Sequence, residues 1–220
     1  MKKLLLAGAV ALFSFSNAQI TKGTTYLSGQ VEYRHNESNE FNNLRKDDVF
    51  KILPTAGYFI DTNLAVGLGV GYKSAVTKYK VGDVGVSNIL EIKDTDNAFV
   101  VAPFIRKYWT LSEKLYIFGQ LQVPLEFGQS KIEATSSGNG GDPILYYFGS
   151  QKNNYTHIGV NIKPGLDYFL NKNWSIEATL GEFGYNRYKG DYEGAVSRNS
   201  YKFGLDLSSV TFGVKYVFAK

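Results

Sequence analysis

From residue 23 onward, the chain sorts apolar and polar side chains at period two, the period of a strand. In the run Leu64 to Tyr72, one face reads Leu64, Val66, Leu68, Val70 and Tyr72, and the other Ala65, Gly67, Gly69 and Gly71. In Thr156 to Leu170, Ile158, Val160, Ile162, Leu166, Tyr168 and Leu170 alternate with His157, Gly159, Asn161, Lys163, Gly165 and Asp167. A helix, at 3.6 residues per turn, would mix these sets. Eight such runs are predicted, over 23–35, 48–60, 64–77, 97–109, 115–128, 154–170, 174–187 and 200–218.

The connections alternate in length. Asp61-Thr62-Asn63, Thr110 to Lys114 and Asn171-Lys172-Asn173 are short and rich in turn formers, whereas 36–47, 78–96, 129–153 and 188–199 are long. In an up-and-down meander, all short turns then lie at one end and all long loops at the other. A repeat marks three strand–turn–strand units: Pro54 to Leu64, Pro103 to Leu115 and Pro164 to Trp174. A strand proline removes a ladder hydrogen bond, so a bulge is expected at each. Further breaks in alternation are expected at Gly181 to Phe183 and at Ser208-Ser209.

Composition adds location. Met1-Lys2-Lys3, an apolar stretch from Leu4 to Phe15 and the small residues Ser16-Asn17-Ala18 before Gln19 read as a secretory signal over 1–18, leaving 19–220 as the barrel domain. Removing that signal takes the balance from 24 Lys+Arg against 20 Asp+Glu to 22 against 20, so the basic character implies no nucleic-acid partner. No Cys is present, which excludes disulfide scaffolds, zinc–thiolate sites and Cys nucleophiles. No other stretch approaches 18 consecutive apolar residues, so a membrane could be crossed only by strands.

Periodicity alone does not orient the faces; a soluble barrel is apolar inside and a membrane barrel apolar outside. Aromatic residues crowd the short-turn end: Tyr58, Phe59, Tyr108, Trp109, Tyr116, Tyr168, Phe169, Trp174, Tyr216 and Phe218. Of these Tyr58, Tyr108, Trp109, Tyr168, Trp174, Tyr216 and Phe218 are assigned to a belt at the lipid–water boundary. The polar face combines glycines with near-balanced charge. Parity places Glu32, Arg34, Lys51, Glu126, Lys163, Asp167, Glu177 and Lys215 on it, with Gln30, Gln120, Gln122, Asn161 and Asp206; a further cation, Arg106 or Lys107, is expected to join. Buried charges must be paired, so this set predicts a closed internal salt-bridge network. The fold predicted is all-β, an eight-stranded antiparallel up-and-down transmembrane β-barrel, closed by pairing near residues 30 and 210.

On the eight-run layout, the three short turns, the aromatic bands and the terminal Tyr216-Val217-Phe218, residues 23–218 resemble the small outer-membrane β-barrel family of the OmpA, OmpX and opacity-protein type. The segment Ser16-Asn17-Ala18-Gln19 resembles signals of Bacteroidetes-type bacteria. The resemblance implies an integral protein of the outer membrane, recognised by the outer-membrane assembly machinery through its last strand and surrounded by outer-membrane lipids. A monomer is expected.

The chain is poor in chemistry. His35 and His157 are its only histidines, both near long-loop ends; Ser38 and Ser150 are the nearest serines of interest, and neither makes a nucleophile motif. Asp94-Thr95-Asp96-Asn97 and Asp191-Tyr192-Glu193 are short acidic clusters without calcium-loop spacing. No catalytic residue, metal ligand or cofactor site is assigned. The long loops are the recognition candidates, among them Tyr79 to Ile92 and the apolar run Ile144 to Phe148. The expected function is a non-enzymatic envelope structural or surface-interaction role, with an extracellular partner at the loops. The alternatives are a narrow porin-like channel for small solutes and a lipid-modifying enzyme using the histidines.

Overall fold

The computed structural model describes residues 19–40, 43–82, 88–138, 146–204 and 210–218. The proposed signal 1–18, Asp206 and the Ser208-Ser209 break fall outside them, as do Val84, Val86, Ile144 and Leu145 of the long loops. Eleven strand segments run β1 Thr25–Glu40, β2 Asn43–Asp61, β3 Leu64–Gly82, β4 Asn88–Thr110, β5 Leu115–Gln122, β6 Leu125–Gly138, β7 Tyr146–Phe169, β8 Trp174–Thr179, β9 Phe183–Gly190, β10 Arg198–Lys202 and β11 Thr211–Phe218. They form eight staves, since β5–β6, β8–β9 and β10–β11 are each one interrupted stave. All pairings are antiparallel, and β1 closes the ring on β11, with Gln30 facing Gly213 and Val31 facing Phe212.

The proline expectation needs correction. Ladder register is the same on both sides of Pro54 (Ile52 with Tyr72, Thr55 with Gly69) and runs unbroken through Pro103 paired with Leu68. Both prolines face outward, and the neighbouring pairs hold the register. A bulge does lie opposite Pro164. Thr179 pairs with Gly165 while Phe183 pairs with Ile162, one residue too many on the β8–β9 stave. Gly181 sits at that slip with φ +91, a conformation that costs a residue with a Cβ far more. The parity break read at Gly181 to Phe183 is this bulge.

The long connections are mostly strand. Alternation weakens above the bilayer because both faces are wet, so periodicity under-reads these segments, yet pairing persists from Lys73–Ala98 up to Gly82–Ile89 on β3–β4. Beyond Tyr72, β3 continues ten residues, about 33 Å of extended chain. Part-buried side-chain contacts hold these walls: Thr77 donates to Asp47 Oδ1 at 2.8 Å, Tyr155 to Asp96 at 2.6 Å and Ser130 to Asp94 at 3.1 Å.

The apolar face points outward. Leu68, Val70, Ile105, Leu121, Val160, Ile162, Ile176 and Val214 are exposed. Between Tyr58 and Phe50 on β2 lies a nine-residue outward band, the length a tilted strand needs to cross a bilayer core. At its upper edge the aromatics meet across strands: Tyr33 faces Phe50, Tyr72 faces Phe99, Phe99 faces Phe127, and Tyr185 stacks on Tyr201 at 5.2 Å. This second girdle escaped the sequence reading because its members are spread singly over seven staves.

Candidate functional site

The interior divides by height. At the short-turn end it is dry. Tyr26, Phe59, Phe104, Tyr108, Tyr116 and Phe118 pack there with Ala65, Val217 and Ile20. Ile20 is drawn into the mouth by Asn63: its N–H donates to Asn63 Oδ1 at 2.8 Å, and its carbonyl accepts from Asn63 N–H at 3.0 Å. Asn63 adopts φ 58, a conformation Asn tolerates, so the β2–β3 turn presents both groups to the incoming chain. Glycine makes room for the rings. A Cβ on Gly165 would lie 2.2 Å from Phe118, and one on Gly57 would lie 2.2 Å from Tyr26.

Tyr108 therefore does not belong to the belt. It is 1% exposed and shares the inward face of β4 with Arg106. The aromatics near the short turns fall on both faces: Phe59, Tyr108 and Tyr116 fill the lumen, while Tyr58, Trp109, Tyr168, Trp174 and Phe218 stay exposed, with Tyr216 packed between Trp174 and Phe218 at 4.9 Å from each. Sequence clustering alone could not separate them; parity from Arg106 would have.

Above the rings lie two buried ion pairs. Arg106 bonds Glu177, and Lys215 bonds Asp167, all four side chains at most 2% exposed. Tyr108 links them, its hydroxyl 3.0 Å from Arg106 and 3.3 Å from Lys215. Arg106 also donates to Gln120 at 2.7 Å, and Gln120 to Gln122 at 2.9 Å. The guanidinium lies 4.2 Å from the Phe118 centroid, and Lys215 Nζ lies 4.9 Å from that of Tyr108. Two cations meet two carboxylates with rings around them, an arrangement that offsets the several kcal/mol each ion loses on leaving water.

Higher still the lumen opens, above an apolar step of Leu53, Val100 and Ala102. Here the closed network expected from sequence does not form. Glu126 is met by Lys73 at 3.2 Å and by His157 at 3.3 Å, and Lys163 by Glu182 at 3.6 Å. Glu32, Arg34 and Lys51 line the same cavity and form no ion pair within 4.0 Å among the described residues. Glu182 went unassigned in the sequence because it sits in the slip at Gly181, whereas Lys73 follows the inward parity of Gly67, Gly69 and Gly71 and was legible. Lys107 points to the turn end, reaching the carbonyl of Thr62 at 3.3 Å.

The histidines are separated. His35 faces outward on β1, bonded to Asp48 at 2.6 Å, and His157 faces the lumen. Ser38 lies three residues from His35 and Ser150 seven from His157, so each serine is on the opposite face from its histidine. Among the described residues no group of His, Asp and Glu is arranged to hold a metal ion.

Lipid-facing apolar staves, two aromatic girdles, a filled lower lumen and closure of β1 on β11 define a small transmembrane β-barrel. Residues 4–218 match the family described as outer membrane protein beta-barrel domain, and the chain belongs to that family. It is an integral protein of the outer membrane. Solved structures similar to it include Neisserial surface protein A, with 16% identity over 87% of this chain and 96% of that one, at a TM-score of 0.39. The N-terminal β-barrel domain of Pseudomonas aeruginosa OprF shows 14% identity over 90% and 100%, TM-score 0.39. Ail, the attachment invasion locus protein of Yersinia pestis, shows 15% identity over 90% and 100%, TM-score 0.36. No curated protein sequence matches the chain.

Proposed function

We propose that this protein is a non-conducting, non-enzymatic barrel that serves as a rigid base for surface recognition by its tall hairpins. The supporting observation is the extension of paired strand far beyond the outer aromatic girdle, which anchoring alone does not require. The filled lower lumen supports the non-conducting part, and the opposite facing of His35 and Ser38, and of His157 and Ser150, supports the non-enzymatic part.

Two measurements test it. In planar bilayers the purified protein should give no stable conductance steps; large ion-selective steps would replace this reading with the channel. Thr77 and Asp94 face each other on β3–β4, so residues 78–93 can be exchanged for a two-residue turn at that rung. Cells carrying the shortened protein at equal surface level should lose binding to immobilised polysaccharides and proteins that the full-length protein retains. If instead binding is unchanged, or the shortened form fully restores detergent resistance to a strain lacking the protein, the role is structural and resides in the barrel.

A further inference from the structure

The upper lumen holds a cavity of about 270 Å³ whose charges do not cancel. Arg34, Lys51, Lys73 and Lys163 line it with Glu32, Glu126 and Glu182. Two of these carboxylates are already shared: Glu126 between Lys73 and His157, and Glu182 between Lys163 and Lys202. Of the acids around the cavity, Asp47 is engaged by Arg45 at 2.8 Å and by Thr77, and Asp96 accepts from Tyr155 at 2.6 Å. Counting every group named, six Lys and Arg side chains stand against five carboxylates, with His157 beside them.

The surplus is localised. Lys51 stands directly across the ladder from Glu32, yet the two form no ion pair within 4.0 Å among the described residues. Lys51 and Lys163 both border a smaller space of about 30 Å³ beneath, beside Leu53, with Glu32 as the one carboxylate there. The apolar step below them lowers the local dielectric, and walls of this kind focus the field of like charges. Two cations and one carboxylate over an apolar floor leave a net positive charge, which favours a guest of opposite sign.

We propose that this cavity is a binding site for a small anion, whose carboxylate or phosphate group is held between Lys51 and Lys163 with Arg34 above. The amides of Asn161 and Asn186 and the hydroxyl of Ser200 line the same cavity and supply donors for its remaining oxygens. The volume limits the occupant to a group of phosphate to sugar-acid size, supplied as a free solute or as a lipid headgroup reaching in from the membrane surface.

Calorimetric titration of the detergent-folded protein with inorganic phosphate tests it, with heat-modifiable gel migration confirming the fold of each variant. Saturable binding is expected, weakening at least tenfold in Lys51→Gln/Lys163→Gln and strengthening severalfold in Glu32→Gln, which removes the competing carboxylate. Lys80→Gln, whose exposed partner Glu91 lies outside the cavity, should bind as the parent does. If the double variant fails to fold, Glu32→Gln alone decides, since its effect has the opposite sign. No saturable binding by the parent, or unchanged affinity in Glu32→Gln, overturns the site. Nanodiscs with and without phosphorylated glycolipid separate the sources. Equal phosphate binding in both assigns a free solute, and phosphate excluded only from the glycolipid discs assigns a headgroup.

Discussion

The lower and upper halves of the lumen are built from the same residue types and behave differently. Below, two cations and two carboxylates are at most 2% exposed, matched one to one and enclosed by aromatic rings. Above, Lys73 keeps 30% of its side chain accessible, ion-pair distances lengthen to 3.2–3.6 Å, and cations outnumber carboxylates. Where water is excluded an unmatched charge is unaffordable, so stoichiometry is strict. Where water enters, a surplus is tolerated and becomes available to a ligand.

The largest test of this contrast is Lys215→Met, which leaves Asp167 buried without its cation. It should cost about 3–5 kcal/mol in denaturant unfolding from micelles, with much of that recovered in Lys215→Met/Asp167→Leu. The matching change above, Lys73→Met, should cost under about 1 kcal/mol because Lys73 is partly exposed and His157 stays 3.3 Å from Glu126. A loss at Lys73 as large as that at Lys215 would erase the distinction between the halves.

Gly165→Ala probes the packing that keeps the lower half dry. The added Cβ collides with Phe118, whose ring also covers Arg106, so a loss of about 1–3 kcal/mol is expected in the same unfolding assay. An unaffected midpoint would mean the rings pack loosely.

The smallest effect lies above the membrane. Arg45 holds the Asp47 carboxyl below its usual range, so its contribution is complete at pH values above the ordinary aspartate pKa and disappears as pH falls through the lowered value. Acid should therefore loosen the β2–β3 hairpin before the barrel. The protection factor of the Asp47–Thr77 rung, taken relative to intrinsic exchange at each pH, should fall on acidification in the parent and stay constant in Asp47→Asn.

Much of the barrel was legible in residue order. Strict period two over Leu64 to Tyr72 and Thr156 to Leu170 named the staves, and the slip at Gly181 announced the bulge. Placement of Lys215, Glu177 and Asp167 inside followed from parity alone. Tyr108 was misread together with Tyr58 and Trp109 because neighbours in sequence point to opposite faces, and density of aromatics along the chain carries no sign.

Alternation with grease on one face and short turns at one end is local information, so the chain's order of residues determined the eight staves, their direction and the side that meets lipid. Which charge meets which is a property of ring closure. Arg106 and Glu177 are 71 residues apart and Lys215 and Asp167 are 48 apart, brought together only when the ladders of the closed ring set the height of each stave. The tertiary structure alone therefore decided which ions are matched in the dry half and which are left facing the open cavity.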